Sequence, residues 1–266
     1  YIKNLFDKIY VTMLLTQIAI FGLIGVLPLA LSKPPNNRIV GGKVGDIKKF
    51  PYQVSLQAWD VGRHHCGGSI IGDKWILTAA HCTLMTERPY YVRVGSTYHA
   101  EGGAIYNVTR VINHPKFDPT TFNYDIALLE LESPITVATR ANIIALPEED
   151  KDIAPLAVVT VSGWGATLNT DEPNNALRFT HLPILEHGEC ASRYKDRNEV
   201  TKNMICTAYP GGGRDACSGD SGGPLVFDEK LYGIVSWGDG CGDEESPGVF
   251  TKVSALRKWI HENSGL

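Results

Sequence analysis

The chain has no excess of positive charge. Its 25 Lys and Arg are outnumbered by 29 Asp and Glu, for a formal net charge of −4. Residues 1–38 carry four of the bases (Lys3, Lys8, Lys33, Arg38) and one acid, Asp7, so the remainder holds 21 basic and 28 acidic residues, a net −7. Such a balance argues against nucleic acid or an anionic membrane as the main partner and mildly suits a cationic substrate. From Ile39 onward the sequence also lacks a linker, a low-complexity segment and a repeat, so nothing marks an internal boundary. With 43% hydrophobic and 20% charged residues it reads as a folded globular protein rather than a disordered one, and its 266 residues suffice for one large or two small cores.

Only one apolar run is long, Met13 to Leu31, followed by small residues around Ala30-Leu31-Ser32. A membrane anchor is one reading, since about 20 apolar residues span a bilayer. Gln17 and Pro28 within the run, and the polar Lys33-Pro34-Pro35-Asn36-Asn37 directly after it, favour a cleaved signal peptide over residues 1–32. Met13 is then the expected start, with residues 1–12 an annotation or translation artefact. Asn107-Val108-Thr109 is the sole acceptor sequon, and in a secreted chain Asn107 is a glycosylation candidate.

Beyond residue 38, short apolar runs recur between Gly, Pro, Asn and Asp clusters. Tyr52 to Leu56 alternates; Trp75 to Thr78, Val92 to Val94, Ala157 to Ser162, Leu225 to Phe227 and Tyr232 to Trp237 also read as strands. Many short strands with turn signals point to an all-β barrel or sandwich. The end differs: Val253, Leu256, Trp259 and Ile260 fall at helical spacing, with Ser254 as the expected N-cap. Six cysteines fall as close sequence pairs, Cys66 and Cys82, Cys190 and Cys206, Cys217 and Cys241. Spacing alone does not choose a connectivity. Free buried thiols are the alternative, and the secretory-looking start weighs against it, because disulfides need an oxidising compartment.

Three segments carry chemistry: Thr78-Ala79-Ala80-His81-Cys82, Asn123-Tyr124-Asp125-Ile126-Ala127-Leu128-Leu129, and Gly219-Asp220-Ser221-Gly222-Gly223-Pro224. Alone, each has a plain reading: a packed histidine, a strand-end cap and a glycine turn. Together they supply a base, a carboxylate and a nucleophile in the chain order His, Asp, Ser. A serine hydroxyl is a poor nucleophile unless a base stands within about 2.6–3.2 Å and is itself oriented.

The combination resembles the trypsin-like serine proteases, over Ile39 to the C-terminus. The resemblance implies an all-β fold of two packed six-stranded antiparallel β-barrels with a C-terminal helix, and the three nearest-neighbour disulfides. It implies Ser221 as nucleophile, His81 as base and Asp125 as the group that orients it. The backbone amides of Gly219 and Ser221 match the oxyanion hole. Arg38-Ile39-Val40-Gly41-Gly42 looks like an activation junction, with residues 33–38 a propeptide and residues 39–266 the protease domain. Cutting after Arg38 would free the Ile39 amine to pair with Asp220, which otherwise merely caps its turn.

Asp215, six residues before Ser221, matches the acid at the base of the primary pocket and implies cleavage after Arg or Lys. The alternative is a solvated loop acid neutralised by adjacent Arg214. Gly238 and Gly248 match the open pocket walls, and Ser236-Trp237-Gly238 the strand that pairs with substrate backbone. Ala216, Ser218 and Phe250 stand where many trypsins carry serine, glutamine and tyrosine. The loop Gly95 to Tyr106 holds one acid, Glu101, too few oxygen ligands for the calcium site of many trypsins. The resemblance implies no cofactor or metal, protein or peptide substrates, protein protease inhibitors as further partners, a monomer, and an extracellular location.

Overall fold

The computed structural model describes residues 38–58, 60–84, 89–136, 140–167 and 175–266. The expected leader, and the expected propeptide up to residue 37, lie outside them. After the tight turn Arg38–Gly41 and a two-residue strand β1 (Lys43–Val44), the first six long strands are β2 (Gln53–Ala58), β3 (His64–Gly72), β4 (Trp75–Thr78), β5 (Tyr90–Val94), β6 (Ala104–Asn113) and β7 (Ala127–Leu131). They close a barrel in the order β2-β3-β4-β7-β6-β5. The next six are β8 (Val158–Gly163), β9 (Arg178–Leu185), β10 (Met204–Thr207), β11 (Pro224–Phe227), β12 (Lys230–Trp237) and β13 (Gly248–Lys252). These run β9-β10-β13-β12-β11-β8, and β8 pairs back to β9, closing a second ring. β1 adds to the outer side of β9, Lys43 opposite Phe179. Neighbouring strands are antiparallel throughout.

Each ring is filled by the apolar alternation of its strands. Val54, Leu56, Ile76, Val92 and Leu128 are fully buried in the first core, and Val159, Val161, Leu182, Leu225 and Phe250 in the second. β2 differs from an ordinary half-exposed strand, because its polar members Gln53, Ser55 and Gln57 are fully buried too. Buried polar groups are costly unless bonded. Here Ser162 Oγ on β8 donates to Gln53 Oε1 at 2.6 Å, and Gln57 Nε2 donates to the His99 carbonyl at 2.7 Å. The polar face of β2 is thus tied to the second barrel through Gln53.

The loop between β5 and β6 is tied from within. The Arg93 guanidinium, almost buried, donates to the Gly102 carbonyl, and Ser96 Oγ donates to the Glu101 carbonyl at 2.6 Å. The pairings Cys66–Cys82, Cys190–Cys206 and Cys217–Cys241 are all formed. The first helix, α1, spans His187–Tyr194 and carries Cys190.

The C-terminal helix begins later than its sequence suggested, and Ser254 does not cap it. Ser254–Leu256 forms a 3-10 turn closed by Leu256 N–H to the Val253 carbonyl at 3.0 Å, and α2 runs Arg257–Ser264. The Ser254 hydroxyl is buried with no partner among the described residues. Gly265, at φ 77, ends α2 by donating to the His261 carbonyl. The apolar face of α2, Trp259 and Ile260, packs into the core of the first barrel, not the second one that precedes it in the chain.

Ile260→Ala should therefore destabilise the fold by about 2–5 kcal/mol, the usual cost of a buried large-to-small change. Glu262→Ala, on the exposed face of the same helix, should stay within about 0.5 kcal/mol. Urea unfolding of the two variants checks this; equal midpoints would mean that α2 contributes no core packing.

Candidate active site

His81 lies just beyond the end of β4, in the 3-10 turn Ala80–Thr83. The next residue, Cys82, is bonded to Cys66 on β3, which anchors the turn. Asp125 lies two residues before β7 and is fully buried. Its Oδ1 accepts the His81 backbone N–H at 2.9 Å, and its Oδ2 accepts His81 Nδ1 at 2.7 Å and Ser236 Oγ, on β12, at 2.6 Å. Thr251 Oγ1, on β13, donates to the Asp125 carbonyl at 2.7 Å. A carboxylate only accepts, so Nδ1 is the donor and Nε2 is the ring nitrogen left for chemistry. The Phe122 ring meets the imidazole edge-on, centroids 5.7 Å apart.

Ser221 belongs to the turn before β11. Its carbonyl accepts the Gly67 N–H of β3 at 2.7 Å, one residue from Cys66, so the serine turn is stitched to the first barrel beside the His81 anchor. Among the described residues the Ser221 hydroxyl makes no hydrogen bond, and the Gly219 and Ser221 amides donate to no protein acceptor. Catalytic hydrogen bonds often tighten only when substrate binds. Gly219 stands at φ 95, a conformation that glycine adopts freely. Its carbonyl is held at 2.8 Å by His64 Nε2, whose Nδ1 shares a 2.8 Å hydrogen bond with Ser55 Oγ. Burial pushes His64 down to about 4, outweighing the Gly219 contact; the ring is neutral, so Nε2 donates and Nδ1 accepts. His64 carried no legible signal as a support of this turn.

Asp220 is completely buried. The Gly165 and Cys217 amides donate to its two oxygens at 2.8 and 3.0 Å. Burial nonetheless pushes its carboxyl up to about 7, with those amides pulling down and Asp215 adding to the rise. Among the described residues no cation pairs with it. Gly163 and Gly165 make room for it: an added Cβ would stand 2.1 and 2.4 Å from its oxygens. Ile39 is fully buried in the second core, and the Val40 carbonyl accepts the Asp215 N–H at 3.1 Å.

Asp215 lines a cavity of about 200 Å³ together with Ala216, Ser218, Ser221, Trp237 and Gly238. Its oxygens accept the Ala216 and Gly242 amides at 2.8 and 3.1 Å, and burial pushes its carboxyl up to about 6. Arg214 does not neutralise it, because the Arg214 guanidinium lies 4.3 Å over the Tyr209 ring instead. Gly248 has no room for a side chain, since a Cβ would meet Asp215 Oδ1 at 2.5 Å. At Gly238 a Cβ meets only ordinary contacts, so a side chain there would cost cavity space rather than clash. Fully buried Phe250 lines the cavity. Trp237 packs edge-on against Tyr194 of α1, centroids 4.7 Å apart. Asn107, in the first half of β6, is exposed, with Nδ2 donating to Glu132 Oε2 at 2.7 Å. The one close group of metal-ligating residue types among those described is Cys66, His81 and Cys82, and its two sulfurs are spent on each other.

The sequence model described as Trypsin matches residues 39–260. A Simulium vittatum protein named Trypsin is 46% identical over 233 residues, covering 86% of this chain and 94% of that protein. Trypsin 5G1 of Aedes aegypti is 42% identical over 232 residues, 87% of this chain and 86% of its own. A vitellin-degrading protease of Bombyx mori is 39% identical over 245 residues, 91% and 92% of the two chains. With its barrels, its disulfides and its His81–Asp125 pair in place, this chain belongs to the trypsin family and is a trypsin-like serine endopeptidase.

Proposed function

We propose that the protein is a secreted endopeptidase, made as a zymogen with a leader over residues 1–32 and a propeptide over 33–38, that cuts peptide bonds after Arg and Lys. The observation that carries the specificity is the Asp215 carboxylate in the cavity that Ser221 also lines. In the reaction, Ser221 Oγ attacks the scissile carbonyl while His81 Nε2 takes its proton. The Gly219 and Ser221 amides stabilise the oxyanion, and His81 returns the proton to the leaving amine. Asp125 holds the tautomer and steadies the imidazolium. Water then repeats the sequence on the acyl-enzyme. Among the described residues no helix is long and apolar enough to cross a membrane. Exposed Asn107 is a proposed glycan site, readable as a mass loss on enzymatic deglycosylation.

Ser221→Ala should abolish peptide hydrolysis without unfolding the protein, leaving at most about 10³–10⁴-fold over water from binding and the oxyanion donors. Near-parental activity in that variant would remove Ser221 from the nucleophile role.

Arg38→Gln should give a folded, inactive chain. Among the described residues Asp220 has no cation, and its folded carboxyl is pushed up to about 7 against about 3.9 when unfolded. Between those values the folded state holds a proton that the unfolded state has released, so stability falls as pH rises from about 4 to 7. Adding Asp220→Asn should flatten that slope. Identical Tm–pH profiles with and without the substitution would refute a buried, unpaired Asp220.

Arg substrates should exceed matched Lys substrates in kcat/KM by about tenfold. Arg forks onto a carboxylate, whereas Lys needs a further acceptor, and Ala216 and Phe250 supply no hydroxyl beside Asp215. Ala216→Ser should narrow the ratio. A ratio unmoved by it would dismiss the hydroxyl argument, and a preference for Tyr or Phe would dismiss Asp215.

A further inference from the structure

His81 is gripped from two sides, by the Asp125 carboxylate and by the Phe122 ring. Both belong to one short loop, and the residue between them that reaches furthest is Asn123. Its Oδ1 accepts three donors: the Tyr124 N–H at 3.0 Å, Thr201 Oγ1 at 3.0 Å and Asn203 Nδ2 at 2.9 Å. Thr201 and Asn203 stand just ahead of β10 in the second barrel, and Asn203 is nearly buried, its carbonyl accepting the Lys252 N–H of β13. Beside this link, Asn198 Nδ2 donates to the Thr121 carbonyl at 3.2 Å. The flanking residues Phe122 and Tyr124 both hold positive φ, 57 and 58, a backbone that non-glycine residues keep only where their surroundings impose it. The side chain of Asn123 is the point in this loop at which three donors converge.

We infer that Asn123 is a positioning residue: it fastens the loop carrying Phe122 and Asp125 to the second barrel, and so fixes His81 relative to Ser221. The inference rests on the proposed roles of His81, Asp125 and Ser221. The Asp215 cavity lies outside this link, so the loss should fall on turnover rather than on binding. Among the described residues every bond of the side chain uses Oδ1 as acceptor, so a carboxylate can replace the amide and a methyl cannot.

The test compares activated Asn123→Ala, Asn123→Asp and Thr201→Val enzymes on one Arg peptide substrate, with rates expressed per titrated active site. Asn123→Ala should lower kcat about 10–100-fold, the scale of a misplacement near 1 Å, with KM within about twofold. Asn123→Asp should recover most of that kcat, and Thr201→Val should fall between. Combining Asn123→Ala with Thr201→Val should cost no more than Asn123→Ala alone, because the two share one contact. A parental kcat in Asn123→Ala, an Asp variant as slow as the Ala variant, or additive losses in the double variant would each overturn the inference. Should Asn123→Ala fail to fold, the Asp and Val variants decide it by the same criteria. Ser221→Ala run alongside separates the two failures: activity there sinks the assignment of the site, whereas an inactive Ser221→Ala with an unaffected Asn123→Ala sinks only the positioning role.

Discussion

The arrangement of the site depends on one buried carboxylate shared by two barrels. Asp125 is carried by the first barrel, yet Ser236 and Thr251 of the second donate to its side chain and its carbonyl. A buried charge short of donors is costly, so parting the two barrels at this point would strip the carboxylate of its Ser236 donor and leave it only those of His81. The same demand for partners recurs along the interface, in the Ser162–Gln53 hydrogen bond and in the Gly67 N–H that holds Ser221. Polar contacts of this kind set relative position more tightly than apolar packing alone, because each has a required direction and length.

Two further acids divide their work by environment. Asp215 and Asp220 are both largely desolvated and both have raised carboxyls, but only Asp215 lines a cavity. Asp220 is enclosed, with glycines at 163 and 165 pressed against it. Burial raises the Asp220 carboxyl because it penalises the charged form. A new ammonium nearby would tip it fully to the charged form, whereas a cationic side chain entering from solvent can do the same only for Asp215.

Much of the fold could be read from the sequence. The apolar runs at Trp75 to Thr78 and Tyr232 to Trp237 became β4 and most of β12, because a short apolar run between turn signals is itself a local mark of a buried strand. The Ser254 cap failed because a preceding 3-10 turn took up the start of the helix, and no local pattern marks that competition. Long-range polar partners were invisible for a different reason. His64 bonds a carbonyl 155 positions away, and Asn123 reaches donors 78 and 80 positions on; both look like ordinary strand or loop residues until the barrels meet. Gly163 and Gly165 likewise resemble turn glycines, and only the approach of Asp220 explains them. His81 and Asp125 stood out because their neighbours in sequence form a known order, and the structure joins them by direct hydrogen bonds.

The attachment of α2 to the first barrel has a consequence for biosynthesis. Trp259 and Ile260 belong to a core whose other members are mostly complete by Leu131, yet they are translated only after every strand of the second ring. A nascent chain can therefore assemble the first six-stranded ring but not seal it. Its apolar flank stays uncovered while the second ring is made, and the closing helix becomes available only after β13. Folding of the first barrel is thus coupled to synthesis of the second, so products truncated before Arg257 should be recognised as unfinished by the machinery that binds exposed apolar surface.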